Sequence, residues 1–510
     1  MSRFFDLINN VFRFVTPVSD FFWEFPANFS WYASIPVLGN FSLAVILLVG
    51  SGIFFTIKTG FIQVTHFTQG IKLLSKKKSD EIGISSLAAF FLSSAMRVGP
   101  GNILGVTGAI SVGGPGALFW MWISAFFGMS TAYTESVLAQ IFKEKKEKEF
   151  VGGLPFYGKR LLKNSALAGI LLSAMFILYA ICCLPAQGFN VVSSTLQMIQ
   201  VSSGYTLSNT SFVSYLIAFL LVVFIAYIAF GGIKKVTRLT DLLVPVMAIV
   251  YILTILFLIC FNLGSVPYFF KAVFGGAFQI DAIFGGAFGT IISQGVKRGL
   301  MSNEAGQGTI TMAAGAANNE HPCEQGCVQS IGVFLDTIVV CTLTGFIVIM
   351  AHVWTGAESE NWFAMDRLPR FLASAETLSP TQGAFPLISF LLTLCFCLFA
   401  LTTLIGMISF SEIAANRISR NPKFIALIRI LGTLITGFGV MCSLAGLNLG
   451  NLWAISDLGN ILIVFANIPL LFLGSRYVFK ATAHYKKGDG TPFTSKVIGI
   501  ECPYWDERNL

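Results

Sequence analysis

The chain is short of charge. Only 11% of its 510 residues are Asp, Glu, Lys or Arg, while 55% are hydrophobic and mean hydropathy is +0.75. Soluble domains carry about 25% charged residues, and a soluble chain of this length needs a polar surface that this composition does not supply. The scarcity excludes a soluble globular protein and points to a bundle of membrane-spanning helices. Polar–apolar alternation is missing from the apolar runs, which excludes a transmembrane barrel. Histidine is scarce too, with four scattered residues, and the ten cysteines form no CxxC pair. Cys182, Cys183, Cys341, Cys395 and Cys397 lie inside apolar runs and read as small core residues. Convergent His, Asp or Ser groups for intramembrane catalysis are lacking, so the chain does not read as an enzyme. No repeated filter motif supports a channel. The N-terminus lacks the uninterrupted apolar core of a cleavable leader, because Asp6, Asn9, Asn10, Arg13 and Asp20 break it. "RFFDLINNVFRFV" is amphipathic and is expected at the membrane surface.

What the sequence has in abundance is apolar runs of spanning length. Eleven are expected, at 36–57, 85–112, 116–141, 165–197, 211–231, 237–262, 275–296, 326–352, 383–411, 424–445 and 450–474. The connections give the orientation, because cytoplasmic loops are rich in Lys and Arg. With the N-terminus outside, "KLLSKKK", "KEKKEK", Lys159, Arg160, "KKVTR", Lys297, Arg298, "NRISRNPK" and the tail all fall inside. Only Arg3, Arg13, Lys271, Arg367 and Arg370 fall outside, and Arg97 falls within the membrane. The net charge of +8 is thus explained by topology and calls for no nucleic-acid partner. The expected organisation is an amphipathic outer segment at 1–35 and a first spanning helix with its basic connection at 36–84. Two five-helix units follow at 85–262 and 263–474, then a cytoplasmic tail at 475–510.

One stretch does not suit a lipid-crossing helix. "MRVGPGNILGVTGAISVGGPG", Met96 to Gly116, holds seven glycines, two prolines and an arginine. Backbone polar groups at membrane depth must find partners, so irregular backbone is tolerated only inside protein or beside water. Pro100 lies about 22 Å past Ser85 along a helix, near mid-membrane. Pro100 removes a donor, Gly99 and Gly101 let the chain open, and Asn102 can take up freed backbone groups. The segment therefore predicts a discontinuous helix, one half ending near Val98 and the next starting near Ile103. Secondary transporters bind substrates at such breaks. The N-terminal end of the second half attracts an anionic group, and exposed carbonyls of the first half suit a cation. The same architecture demands a matching segment in an inverted second repeat, and "FGGAFGTII", Phe284 to Ile292, is the expected one.

Other intramembrane polar residues stand out. Arg97 should face the interior and pair with an acid, with Glu135 and Asp336 the candidates. The reading leaves a structural ion pair and a gating or coupling role equally open. Thr402 and Thr403 could complete an all-oxygen Na⁺ site, or simply bond the carbonyl one turn back. Gln187 and Asn190 share one helical face and could read an amino group or hold the bundle together. In "KRGLMSNEAGQGT" Ser302 could cap a helix at Asn303, and Glu304 with the glycines after it suggests a tight loop on the inner side, a possible gate.

These motifs together resemble the alanine or glycine:cation symporter family. The resemblance is carried by "RVGPGNILGVTGAISVGGPGALFWMW", "YTESVLAQ", "FGGIKKVTRLTDLLVPVMAIVY", "KRGLMSNEAGQGT", "PCEQGCVQSIGVFLDTIVVCTLTG" and "LFALTTLIG", in that order. It implies an all-α LeuT-type fold of two inverted five-helix repeats plus one extra N-terminal helix. It implies inward symport of small neutral amino acids, alanine or glycine, with Na⁺ as coupling ion or H⁺ in its place. No organic cofactor is implied, and the setting is a plasma membrane, the inner membrane of a bacterium. By that similarity Ala95, Val98, Thr402 and Thr403 would hold Na⁺. Gly99, Gly101 and Asn102 would hold the carboxylate, facing Gly285, Gly286, Phe288 and Gly289. Two positions depart from the family pattern: Pro100 stands where Thr is frequent, and Leu104 where Ala is common. Oligomeric state is not legible.

Overall fold

The computed structural model describes residues 2–35, 38–76, 82–147, 149–278, 287–355, 359–447 and 449–508. It is almost wholly helical, apart from a small antiparallel hairpin in which Glu144 pairs with Val151 and Lys146 with Glu149. The helices that matter below are α1 (Ser2–Glu24), α2 (Leu43–Lys58), α3 (Ser86–Arg97), α4 (Gly101–Gly113) and α5 (Gly116–Ile141). They continue with α6 (Ala166–Ser203), α7 (Phe212–Ala229), α8 (Gly232–Phe261), α9 (Val266–Ala277) and α10 (Ala287–Asn303). The last are α11 (Pro322–Met350), α12 (Arg367–Thr377), α13 (Phe385–Ile418), α14 (Pro422–Leu444) and α15 (Leu449–Lys487). Among the described residues, seven of these are long and apolar enough to cross a membrane: α6, α7, α8, α11, α13, α14 and α15.

Polar caps fix where several of them begin. The first N–H groups of a helix have no partner in the helix itself. Ser42, Ser85, Ser165 and Ser211 each offer a hydroxyl to the backbone N–H three residues on, at 3.1–3.4 Å. α6 ends at Gly204, whose φ of +72° a side chain would strain. Small residues let helices approach closely in lipid. A Cβ at Gly188 of α6 would collide with the Thr436 carbonyl of α14, and one at Gly439 of α14 with the Pro185 carbonyl of α6. Lipid-facing side chains are equally plain: Phe219, Leu220, Val223, Phe224 and Tyr227 of α7 are exposed.

Among the described residues two spans are interrupted, and the second interruption described lies beyond "FGGAFGTII". The first gap lies between α3 and α4, as expected. The second follows α10, at 304–310, and a short helix, Thr311–Ala316, resumes after it. Of "FGGAFGTII", Ala287 to Ile292 form the start of α10, and Phe284, Gly285 and Gly286 lie outside the described residues. Ser302 accordingly ends a helix and does not cap the start of one.

This shift moves two charges. Lys297 and Arg298 do not belong to an inner connection, because α10 continues past them into the bundle. Lys297 Nζ lies 2.9 Å from Asp457 Oδ2 and 3.7 Å from Asp20 Oδ1, and Arg298 Nη1 lies 3.2 Å from Asp457 Oδ1. Trp23 of α1 donates to the Asp457 carbonyl at 2.9 Å. Both basic residues therefore share the side of α1, opposite the tail.

Candidate functional site

The first interruption starts at Val98, whose ψ of 83° leaves the helix. Pro100 is itself helical, with φ −55° and ψ −23°, and opens a wide π-type turn over Gly101–Gly105. The Gly99 N–H, which would have gone to Ala95, donates instead to Asn102 Oδ1 at 2.8 Å. The Asn102 N–H goes to the Gly99 carbonyl at 3.1 Å. The carbonyls of Ala95 and Val98 are thus stripped of their helical donors. Thr403 of α13 reaches into the gap: its hydroxyl lies 3.1 Å from the Ala95 carbonyl and 2.8 Å from that of Phe399. A Cβ on Gly99 would meet that same hydroxyl at 2.6 Å, so only glycine admits the approach.

Of the four residues named for a cation, two meet: the Thr403 hydroxyl and the Ala95 carbonyl. Both offer oxygen, the donor type that Na⁺ takes at broken helices, and the Val98 carbonyl is freed in the same gap. Thr402 does not join them. Its hydroxyl turns to the Leu398 and Phe399 carbonyls, with Met247 Sδ 3.7 Å away.

Asn102 is buried completely and fully engaged. Its amide donates to Asp336 Oδ1 at 2.6 Å and to Ser302 Oγ at 2.9 Å. Asp336 also accepts from Ser302 and Thr337, at 2.5 and 2.8 Å. This cluster joins the first gap, the end of α10 and the middle of α11, and leaves no Asn102 donor free for a ligand.

Arg97 is 1% exposed. Its Nε donates to the Asn303 carbonyl at 3.2 Å, its Nη1 lies 3.5 Å from Ser93 Oγ, and its Nη2 has no partner. Glu304, Asp336 and Glu135 are the acids whose charge reaches it. Among the described residues none of them forms an ion pair with it within 4 Å.

The second interruption is held both from within and from outside. Glu304 sits in the left-handed region at φ +59° and accepts from Thr309 Oγ1 at 2.7 Å. Buried Glu135 of α5 accepts from the Gly306 and Gly308 N–H groups at 3.4 and 3.1 Å. Asn467 of α15 donates to Glu135 Oε2 at 3.0 Å and to the Gly306 carbonyl at 2.9 Å, and accepts from Tyr157 OH. Asn467 and Tyr157 were not expected from the sequence. The one signal available was an asparagine inside the apolar run "IVFANIPLL", the kind of residue that is expensive in a membrane.

A cavity of about 40 Å³ adjoins the first gap, lined by Arg97, Gly99, Gly101, Gln187, Glu304 and Thr403, among others. A larger one of about 490 Å³ lies towards α12, lined by Leu104, Phe189, Asn190, Arg367, Phe396 and Trp453, among others. Trp453 lines both. The structure therefore separates Gln187, on the small cavity, from Asn190, on the large one. Gln187 Oε1 and both Asn190 amide atoms are buried without partners. Phe288 and Gly289 are not brought to the gap. They lie about 20 Å from Asn303 along α10, with Phe288 against Trp120 and Gly289 against Asn40.

Comparison with known proteins gives this geometry a context. The solved structure of MhsT in complex with L-phenylalanine matches with a TM-score of 0.58 at 13% identity, over 80% of this chain and 93% of that one. The fold is the LeuT type. The putative sodium/proton-dependent alanine carrier protein YrbD of Bacillus subtilis is 34% identical over 482 residues, 91% of this chain and 95% of its own. The sodium/alanine symporter AgcS of Methanococcus maripaludis is 33% identical over 449 residues, 87% of this chain and 94% of its own. The family's sequence model matches residues 30–495. The chain is an integral membrane protein of a family of transporters, not of enzymes: it belongs to the sodium:alanine symporter family.

Proposed function

We propose that the protein is a symporter that carries a small neutral amino acid inward together with Na⁺ by alternating access. The observation that carries this reading is the first gap. There the Thr403 hydroxyl, which lines a small cavity, meets the donor-stripped Ala95 carbonyl, and the freed Val98 carbonyl lies in the same gap. These oxygens would hold Na⁺, whose charge would then help bind a carboxylate next to it. The unpartnered Arg97 Nη2 and the Gly99–Gly101 backbone are the groups for that carboxylate. Gln187 Oε1 and Glu304 are those for the ammonium. The small cavity suits a small side chain, and relatives named for alanine support that class. The two five-helix repeats would be 85–262 and 263–474, with one gap in each. The N-terminus would lie outside and the basic tail inside.

A proton-coupled carrier is the second reading. It is favoured by the three buried carboxyls around Arg97, of Glu135, Glu304 and Asp336, and by YrbD's name.

Uptake of labelled L-alanine, D-alanine and glycine into proteoliposomes decides between them. Accumulation under an inward Na⁺ gradient at fixed pH, lost when K⁺ replaces Na⁺, is expected. Uptake only under an inward H⁺ gradient would replace the first reading with the second. Thr403→Ala should raise the Na⁺ concentration for half-maximal uptake about tenfold, the loss of one oxygen contact worth roughly 1.4 kcal/mol. An unchanged Na⁺ dependence would remove Thr403 from the site.

A further inference from the structure

The last described residues, 493–508, fold back onto the bundle. Ser495 N–H donates to Asp506 Oδ1 at 2.7 Å and Cys502 N–H to Ser495 Oγ at 2.9 Å, which closes this segment on itself. Phe493, Ile498, Cys502 and Trp505 are all buried. Trp505 Nε1 donates to the Gln140 carbonyl at the end of α5, at 2.8 Å. Lys143 Nζ lies 4.4, 4.5 and 5.2 Å from the ring centres of Phe150, Tyr504 and Trp505. It donates to the Ala317 carbonyl at 2.7 Å. Arg508 Nη1 bonds Asn318 Oδ1 at 3.2 Å and the Asn319 carbonyl.

Those contacts fall where the two interrupted spans meet on the tail side. Residues 317–319 directly follow the helix after the second gap, and 82–85 directly precede α3. The two strips are joined by Ile84 N–H to the Ala316 carbonyl at 3.2 Å and by Asn318 N–H to the Ile84 carbonyl at 2.9 Å. Asn318 and Asn319 side chains add bonds to the Ile82 carbonyl and Ser86 Oγ at 3.1 and 2.8 Å. The seam is tight: a Cβ on Gly83 would lie 2.9 Å from the Ala316 carbonyl oxygen.

We propose that residues 493–508 are a latch that holds the tail-side ends of both interrupted spans together and must undock before the central cavity opens to that side. This rests on the transport reading above. The grip is of a kind that can be released. Burial, and then the Arg508 charge, lowers the pKa of the Lys143 ammonium well below the usual lysine value. Undocking returns both cations to water, and their hydration offsets part of the lost contact. A docked and an undocked state can then lie close in free energy, as a switching element requires. The large cavity lies on the opposite side, towards Arg367, so the docked latch accompanies the state closed to the tail.

The test is a reversible tether. Phe150 and Tyr504 have ring centres 4.8 Å apart. Phe150→Cys with Tyr504→Cys, in a background where exposed Cys260 is Ser, is bridged by a short reducible bis-thiosulfonate. Uptake should fall about tenfold or more on bridging and return on reduction, with neither single-cysteine variant responding. Bridged protein that transports at the unbridged rate would overturn the latch. Hydrogen exchange in the full-length Arg508→Ala variant gives a readout that needs no transport. The amides of Ile84 and Asn318 should exchange about tenfold faster while those of α4 and α10 hold; acceleration confined to 493–508 would overturn the proposal. Wild-type protein that accumulates no amino acid under any ion gradient would sink the transport reading, and exchange would still decide the latch.

Discussion

At residues 98–100 the chain leaves and re-enters helical geometry at once, and Asn102 takes the freed Gly99 N–H from within the same segment. At 304–310 the departure is longer. Its backbone is fastened by Glu135 of α5 and Asn467 of α15, with Tyr157 behind them. One gap carries its own fastening and lends its spare Ala95 carbonyl to Thr403. The other is a longer unwound strip that, besides its own Glu304–Thr309 bond, is held by side chains of α5 and α15. A self-fastened gap can keep a binding geometry fixed. An externally fastened one can change shape when its partners move, which is what alternating access asks of one of two facing segments.

The sharpest way to break the comparison is Glu135→Ala. It strips the acceptor from Gly306 N–H, Gly308 N–H and the Asn467 amide together. Unsatisfied buried donors cost about 1–3 kcal/mol each, so a loss of roughly 3 kcal/mol or more is expected, read as a large drop in melting temperature in detergent. A wild-type melt would show that the second gap holds itself. Asn102→Ala should cost less, about 2 kcal/mol. Gly99 loses its acceptor, but Asp336 keeps Ser302 and Thr337. If that variant melts normally and only substrate binding falls, Asn102 is a ligand group and the cluster with Asp336 is incidental.

The contrast also explains what was legible. The first gap could be read from sequence because proline and flanking glycines act on the backbone locally, whatever surrounds them. The second could not, because glycines permit an opening without forcing one. "NEAGQG" opens where its glycines meet Glu135 and Asn467, side chains far away in sequence. Charge counting misplaced two residues for a related reason: with the span ended at 296, Lys297 and Arg298 fall beyond the membrane, whereas the helix runs on to Asn303. The pair Gln187 and Asn190 was correctly seen as interior, but one helical face proved long enough to line two cavities.

Pro100→Ala is the smallest expected effect and separates cause from ornament in the first gap. By sequence, Pro100 is what breaks the helix. In the structure it is helical and opens the second half, a position where its missing N–H and fixed φ cost little. The break itself lies at Val98 and Gly99, where ψ turns and the N–H is diverted to Asn102. Alanine at 100 restores an N–H that an intact helix would direct to Met96. To use it, the chain would have to surrender the Asn102 bond and the Thr403 contact with Ala95. Those fastenings should win, so stability should change by less than about 1 kcal/mol and Na⁺-dependent uptake should survive. A variant that keeps its melting temperature but loses uptake would mean that the helix has healed across the gap. The proline, and not Asn102, would then be what keeps the site open.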